Sequence, residues 1–275
     1  MRFPTGGRAL EWLAGSDARS RRATRVPGRW HTIKSGVDPW SEGVEVPDQE
    51  WLRRRGPSLA REALQQSILF PLTRFVAHPR VIGAGDLMQV PQPAVLAPNH
   101  ASDMDTPLVL ASLPRAWRTR TVIGAASDRF YRRRRYAVAA GLWINTVPFD
   151  RGGESRGLAD AAELLHQGWN VLLYPQGTRT SGMEGFRSGV ARLCLAAGVP
   201  LIPIHVGGTA LLMPKGRAVI QRGRTTVAFG RPVYPSPDED PLALMARAAD
   251  AVAALATRRA PSASRSARGA RADGS

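Results

Sequence analysis

From residue 80 to residue 255, short apolar runs alternate with stretches of helical periodicity, and this alternation limits the possible folds more than any other feature of the sequence. Apolar runs at 94–97, 121–125, 170–174, 201–206 and 225–229 are too short for core helices and read as buried strands. Helical patterns lie between or after them at 107–113, 157–166, 190–197 and 242–255. Strands alternating with helices predict an α/β fold, in which a mixed, mostly parallel sheet is flanked by helices.

The segment 58–78 precedes this alternation. Leu59, Ala63, Leu64, Ile68, Leu69, Leu72, Phe75 and Val76 recur mostly at three- and four-residue intervals, which predicts a helix. Pro71 should kink it or split it in two. An ordinary core-packed helix is the favoured reading, and a helix lying on a membrane is the second; Arg53 to Arg55 favour anionic lipid a little. Residues 1–57 mix Arg, Gly, Pro and scattered Trp without a sustained period and read as a weakly ordered basic arm. Residues 58–257 form the main domain, and 258–275 lack bulky apolar residues and read as a disordered basic tail.

The 275 residues carry a formal net charge of +16, which favours polyanionic partners without choosing among lipid head groups, phosphorylated metabolites and nucleic acid. Arg129 to Tyr136 is the densest basic cluster and is interleaved with aromatics; it suits an anionic membrane surface or the phosphates of a coenzyme A donor. Cys194 is the only cysteine, so no intramolecular disulfide forms, and its apolar flanks predict a buried, inert thiol. No metal-ligand spacing is present, so no metal is expected. His205, inside an apolar run, reads as a satisfied core histidine. The first residues lack the apolar core of a secretory signal and no run of about 18 apolar residues occurs; the expectation is a cytoplasmic protein peripherally associated with the inner face of the cell membrane.

The strand at 94–97 runs into Pro98-Asn99-His100-Ala101-Ser102-Asp103-Met104-Asp105, and a helix follows. On such a loop the Asp105 carboxylate can hold the His100 imidazole in one tautomer, leaving the other nitrogen to take a proton from a hydroxyl. Taken alone the pair is weak evidence, because an Asp before a helix is commonly an N-cap.

Three further segments change its weight. Val147-Pro148-Phe149-Asp150-Arg151 closes an apolar run, Tyr174-Pro175-Gln176-Gly177-Thr178-Arg179 follows a strand, and Val199-Pro200-Leu201-Ile202-Pro203-Ile204 is a hydrophobic strand. In order, and with Asn99, His100 and Asp105, these resemble the four blocks of the glycerolipid acyltransferase family, the PlsC-like group of 1-acyl-sn-glycerol-3-phosphate acyltransferases. Phe186, Gly189 and Ala191 match its link between the third and fourth blocks, and Pro214-Lys215-Gly216 a later element. The resemblance covers residues 70–255.

It implies transfer of a fatty acyl group from acyl-CoA or acyl carrier protein, as co-substrate and with no cofactor, to the hydroxyl of a phosphate-bearing lysolipid. His100 and Asp105 would be catalytic, and Asn99, Phe149, Arg151, Gln176, Gly177, Thr178 and Arg179 would bind substrate. Physically, a guanidinium fork suits phosphate, Gly177 admits close backbone approach, and Thr178 adds a donor. Gln176 departs from the family's usual Glu and loses its charge, which bears on the acceptor. A different alcohol or glycolipid acceptor therefore stays open, as does a non-enzymatic protein binding anionic lipid or nucleic acid, although nucleic acid is not expected as a partner.

Overall fold

The computed structural model describes residues 31–33, 44–46, 50–126, 134–149, 155–180, 185–214 and 220–257. Most of the expected basic arm, the tail, Arg129 to Arg133, Arg151, Lys215 and Gly216 lie outside the described residues. Two short strands, β1 (His31–Ile33) and β2 (Val44–Val46), pair antiparallel.

The first long helical segment starts at Arg55, not at 58. It consists of α1 (Arg55–Leu64), a π-helical turn (Gln65–Leu69) and α2 (Phe70–Ala77). Proline has no N–H to give a carbonyl four residues back. Just before Pro71 the chain widens, and the Phe70 amide bonds Gln65 O, five residues back. The expected split is therefore present as a π turn. The packed structure reaches back to Leu52, which is buried; Arg61, also buried, donates to Leu52 O (3.1 Å) and Gly141 O (3.3 Å).

Seven strands form the main sheet: β3 (Pro79–Ile82), β4 (Val95–Pro98), β5 (Thr121–Ala126), β6 (Thr146–Phe149), β7 (Asn170–Leu172), β8 (Leu201–Gly207) and β9 (Thr225–Phe229). Their order is β3-β9-β8-β4-β7-β5-β6, parallel throughout except for the antiparallel β8–β9 pair. The expected mixed, mostly parallel sheet is what the chain forms. Strand β3 escaped the sequence reading because it opens on a proline, sits at the sheet edge and leaves Arg80 and Val81 exposed, so no apolar run marks it.

Helices α3 (Asp105–Ser112), α4 (Arg115–Arg118), α5 (Arg134–Ile144), α6 (Ser155–His166), α7 (Gly189–Ala197), α8 (Thr209–Leu212) and α9 (Pro241–Ala256) complete the described elements. Side chains alternate across β4, as a strand requires. Val95 and Ala97 pack with Leu165 of α6, Leu193 and Cys194 of α7 and Leu244 of α9. Ala94 and Leu96 pack with Phe70 of α2, Leu108 of α3 and Trp117 of α4. Each fully buried Leu, Ile or Phe contributes about 1.5–3 kcal/mol, so the central position of β4 fixes the loop that follows it. Cys194 is fully buried, and burial pushes its thiol well above the ordinary range, as the inert reading required.

Candidate active site

Strand β4 ends at Pro98, and the next residues turn over the carboxyl edge of the sheet before α3 begins at Asp105. Asn99 extends the pairing past the strand end. Its Oδ1 accepts from the Val206 amide (2.7 Å) and its Nδ2 donates to Val206 O (3.0 Å). This buried side chain, a substrate-binding candidate in the sequence, pins the loop to β8, because both ends of its amide complete backbone pairing there.

His100 and Asp105 meet as the spacing suggested: His100 Nδ1 lies 2.9 Å from Asp105 Oδ2. The same oxygen accepts the amides of Ala101 (2.7 Å) and Ser102 (2.8 Å), while Oδ1 accepts the Thr209 hydroxyl (2.5 Å). Asp105 is fully buried, so its charge is tolerable only because four donors and the first turn of α3 surround it. An ionised carboxylate only accepts, so Nδ1 carries the proton and Nε2 is left as the basic nitrogen.

Two residues that the sequence reading did not single out complete this arrangement. Tyr174 stacks on the His100 ring, centroids 3.9 Å apart at 25°, and its hydroxyl shares a 2.7 Å hydrogen bond with Thr106 Oγ1. Burial, then the nearby Asp105 charge, pushes the phenol well above its ordinary range, so it stays neutral. Thr209 is fully buried at the start of α8, behind Gly207 and Gly208. Gly208 has φ +87°, and a Cβ there would lie 2.6 Å from Arg224 O, so only glycine aims Thr209 at Asp105. The adjacent glycines Gly207 and Gly208, just beyond the apolar run at 201–206, were the signal available in the sequence.

The loop after β7 folds back onto His100. A turn closes with the Gly177 amide on Tyr174 O (3.0 Å), and Gly177 takes φ +66°, a left-handed conformation that glycine adopts without strain. Gln176, 2% exposed, accepts the His100 amide on Oε1 (2.7 Å) and donates through Nε2 to Thr180 Oγ1 (2.6 Å). The Thr180 amide in turn donates to His100 O (2.9 Å). Thr178 is exposed.

Arg179 is ion-paired within the protein. Its Nη1 is 2.8 Å from Asp103 Oδ2, in the loop that carries His100. The sequence reading had not paired them, because their 76-residue separation is closed only by the β4–β7 pairing. Phe149 ends β6 and is half-buried against the core on the α6–α7 side.

His205 corrects its sequence reading. Its neighbours Ile204 and Val206 pack on the α2–α3 side with Tyr174, so His205 points to the opposite face. Its buried Nδ1 has no hydrogen-bond partner among the described residues, and burial lowers its basicity. It is not a satisfied core histidine, and it does not join His100. Among the described residues no group of three His, Cys, Asp or Glu side chains could hold a metal ion, and no helix is long and apolar enough to cross a membrane.

A sequence model of the acyltransferase family matches residues 80–207, the span from β3 to the end of β8 that contains this site. The chain is 34% identical over 111 residues to a 1-acyl-sn-glycerol-3-phosphate acyltransferase of Chlamydomonas reinhardtii, covering 39% of this chain and 33% of that one. A chloroplastic 1-acyl-sn-glycerol-3-phosphate acyltransferase of Brassica napus is 35% identical over 77 residues, covering 27% and 22%. The chain thus spans a third or less of the length of these curated relatives. Among solved structures, a 1-acyl-sn-glycerophosphate acyltransferase from Thermotoga maritima aligns over 72% of this chain and 84% of that one, with 24% identity and a TM-score of 0.49.

Proposed function

From the premise that this chain belongs to the acyltransferase family through its residues 80–207, we propose that it transfers a fatty acyl group from a thioester donor to the hydroxyl of a lysophosphatidate-like acceptor. The observation that carries this reading is the His100–Asp105 pair, with its proton held on Nδ1 by a fully buried carboxylate.

In the proposed step Nε2 of His100 removes the proton from the acceptor hydroxyl as its oxygen attacks the thioester carbonyl. Asp105 stabilises the imidazolium that forms. The tetrahedral intermediate then collapses, the C–S bond breaks, and the imidazolium returns its proton to the thiolate, so that ester and free thiol leave. A thioester is already activated, so no serine nucleophile is needed. The donor is acyl-CoA or acyl carrier protein. Arg179, with donors beyond the Nη1 that meets Asp103, and Arg151 are the proposed phosphate contacts.

The proposed working surface is an anionic membrane. On α1, the π turn and α2, the residues Leu59, Ile68, Leu72 and Phe75 are each about half exposed, although the same helices bury Phe70, Thr73 and Ala77. One segment thus packs on the core and still leaves an apolar stripe outward, as an interfacial helix does. This stripe and the net positive charge support attachment at the inner face of the cell membrane.

A second reading, a different alcohol or glycolipid as acceptor, draws support from Arg179 being ion-paired and Gln176 being engaged within the protein. The experiment is thiol release from a long-chain acyl-CoA, with lysophosphatidate and then neutral lysolipids as acceptors, comparing the native chain with His100→Ala. Acceptor-dependent release that disappears in the variant supports the reaction. Release with neutral acceptors alone moves the proposal to the second reading, and no release with any donor and acceptor overturns both.

A further inference from the structure

Gln176 stands where the resemblance leads one to expect a Glu, and its surroundings assign it a role that the resemblance does not supply. The side chain is 2% exposed and both ends are engaged inside the protein: Oε1 by the His100 amide at 2.7 Å, Nε2 by Thr180 Oγ1 at 2.6 Å. The third side of the ring is main chain, with the Thr180 amide on His100 O at 2.9 Å. Both backbone polar groups of His100 are therefore held by the 174–180 loop, one through a side chain and one directly.

We propose that Gln176 is a positioning residue for His100 and not a contact to the acceptor. His100 follows β4 by two residues and receives no ladder hydrogen bond of its own. Among the described residues Gln176 Oε1 is the acceptor of its amide, so removing that side chain leaves a donor unsatisfied beside the buried side of the site. The Asp105 carboxylate and the Tyr174 ring fix the imidazole from two directions, and Gln176 fixes the backbone from which it projects. A shift of a few tenths of an ångström there moves Nε2 relative to an acceptor hydroxyl, and proton transfer is sensitive to displacements on that scale.

The same geometry explains how a Gln can replace a Glu at this position. The residue must present one acceptor to the His100 amide and meet a hydroxyl that can either accept or donate. Gln gives its N–H to Thr180 Oγ1, whereas a carboxylate would take the Thr180 proton. The exchange therefore reverses one hydrogen bond and preserves the ring.

This inference rests on the acyl-transfer reading, and its test separates the two. Steady-state thiol release is measured for the native chain, Gln176→Leu, Gln176→Glu and Thr180→Val, together with backbone amide hydrogen exchange at His100. Gln176→Leu is expected to lower kcat at least tenfold with the acceptor KM within twofold. Gln176→Glu is expected to stay within about threefold of native kcat, and Thr180→Val to follow Gln176→Leu in direction with a smaller loss. If Gln176→Leu fails to fold, Thr180→Val carries the same comparison. A tenfold or larger rise in acceptor KM at unchanged kcat, or full activity in Gln176→Leu, overturns the proposal. If the native chain is inactive toward every donor and acceptor, the acyl-transfer reading fails. The amide exchange then decides: protection of His100 lost in Gln176→Leu and kept in Gln176→Glu supports the clamp, and unchanged protection in Gln176→Leu overturns it.

Discussion

Asp105 Oδ1 accepts the hydroxyl of Thr209 at 2.5 Å while its Oδ2 faces His100 Nδ1 at 2.9 Å, so a residue at the start of α8 holds the far side of the carboxylate that orients the imidazole. The start of α3 and the start of α8, 104 residues apart in sequence, thus form one unit. Thr209→Val keeps the shape and leaves a buried carboxylate oxygen without its donor. The expected cost is about 1–3 kcal/mol of stability, read from the denaturant midpoint, and a loss in kcat.

His100→Ala removes the base. The expected loss in kcat is roughly 10²–10⁴-fold, measured as acceptor-dependent thiol release, with a stability cost of about 1–3 kcal/mol because the buried Asp105 carboxylate loses one of its four donors and Tyr174 its stacking partner.

Asp105→Asn has a different signature. An amide keeps one oxygen for the Ala101 and Ser102 amides, but its NH₂ then faces Thr209 Oγ1 where an acceptor stood and the negative charge that stabilises the imidazolium is gone, so the variant loses activity and, through the reversed Thr209 bond, some stability. A drop in kcat comparable with that of His100→Ala is expected, accompanied by a thermal midpoint several degrees below native. Loss of activity at a native midpoint would mean that the carboxylate matters only through His100.

Tyr174 supplies a pH dependence. Burial, then the Asp105 charge, holds its phenol well above the ordinary value, so the folded state keeps it protonated where an unfolded chain ionises at about pH 10. Its stabilising contribution is therefore complete below about pH 10 and is lost as pH rises above that value towards the folded one. Between pH 10 and 11 the stability of the native chain is expected to fall more steeply than that of Tyr174→Phe. The ultraviolet tyrosinate signal of the folded protein should be the same in the two.

The apolar stripe on α2 has its own test. Leu72→Asp with Phe75→Asp alters two residues that are 57% and 58% exposed and leaves the core-facing Phe70, Thr73 and Ala77 in place. Co-sedimentation with phosphatidylglycerol-containing vesicles is expected to fall by tenfold or more, while the thermal midpoint stays within a few degrees of native.

Much of this was legible in the sequence because it is set by local pattern. The run at 94–97 could only be a buried strand, the helices at 107–113 and 190–197 repeat with helical period, and His100 and Asp105 lie five residues apart on one short loop, so their meeting needs no long-range information. Pro71 announced a break in its helix because a missing N–H acts on the chain's own neighbours. The edge strand β3 was not legible, because a strand that opens on a proline and leaves its two middle residues exposed carries no buried apolar run.

What only the tertiary structure decided is which distant groups share a space. Asn99 and Gln176 both looked like substrate contacts, as polar residues in matched blocks. The pairing of β4 with β8 and β7 also brings their amides to the Val206 backbone and to His100. Arg179 met Asp103 and Thr209 met Asp105 for the same reason: a parallel sheet aligns the carboxyl ends of strands far apart in sequence. Sequence periodicity specifies each strand and helix by itself. Strand order, which fixes the partner of every buried polar group at that edge, comes from the packing of the whole sheet.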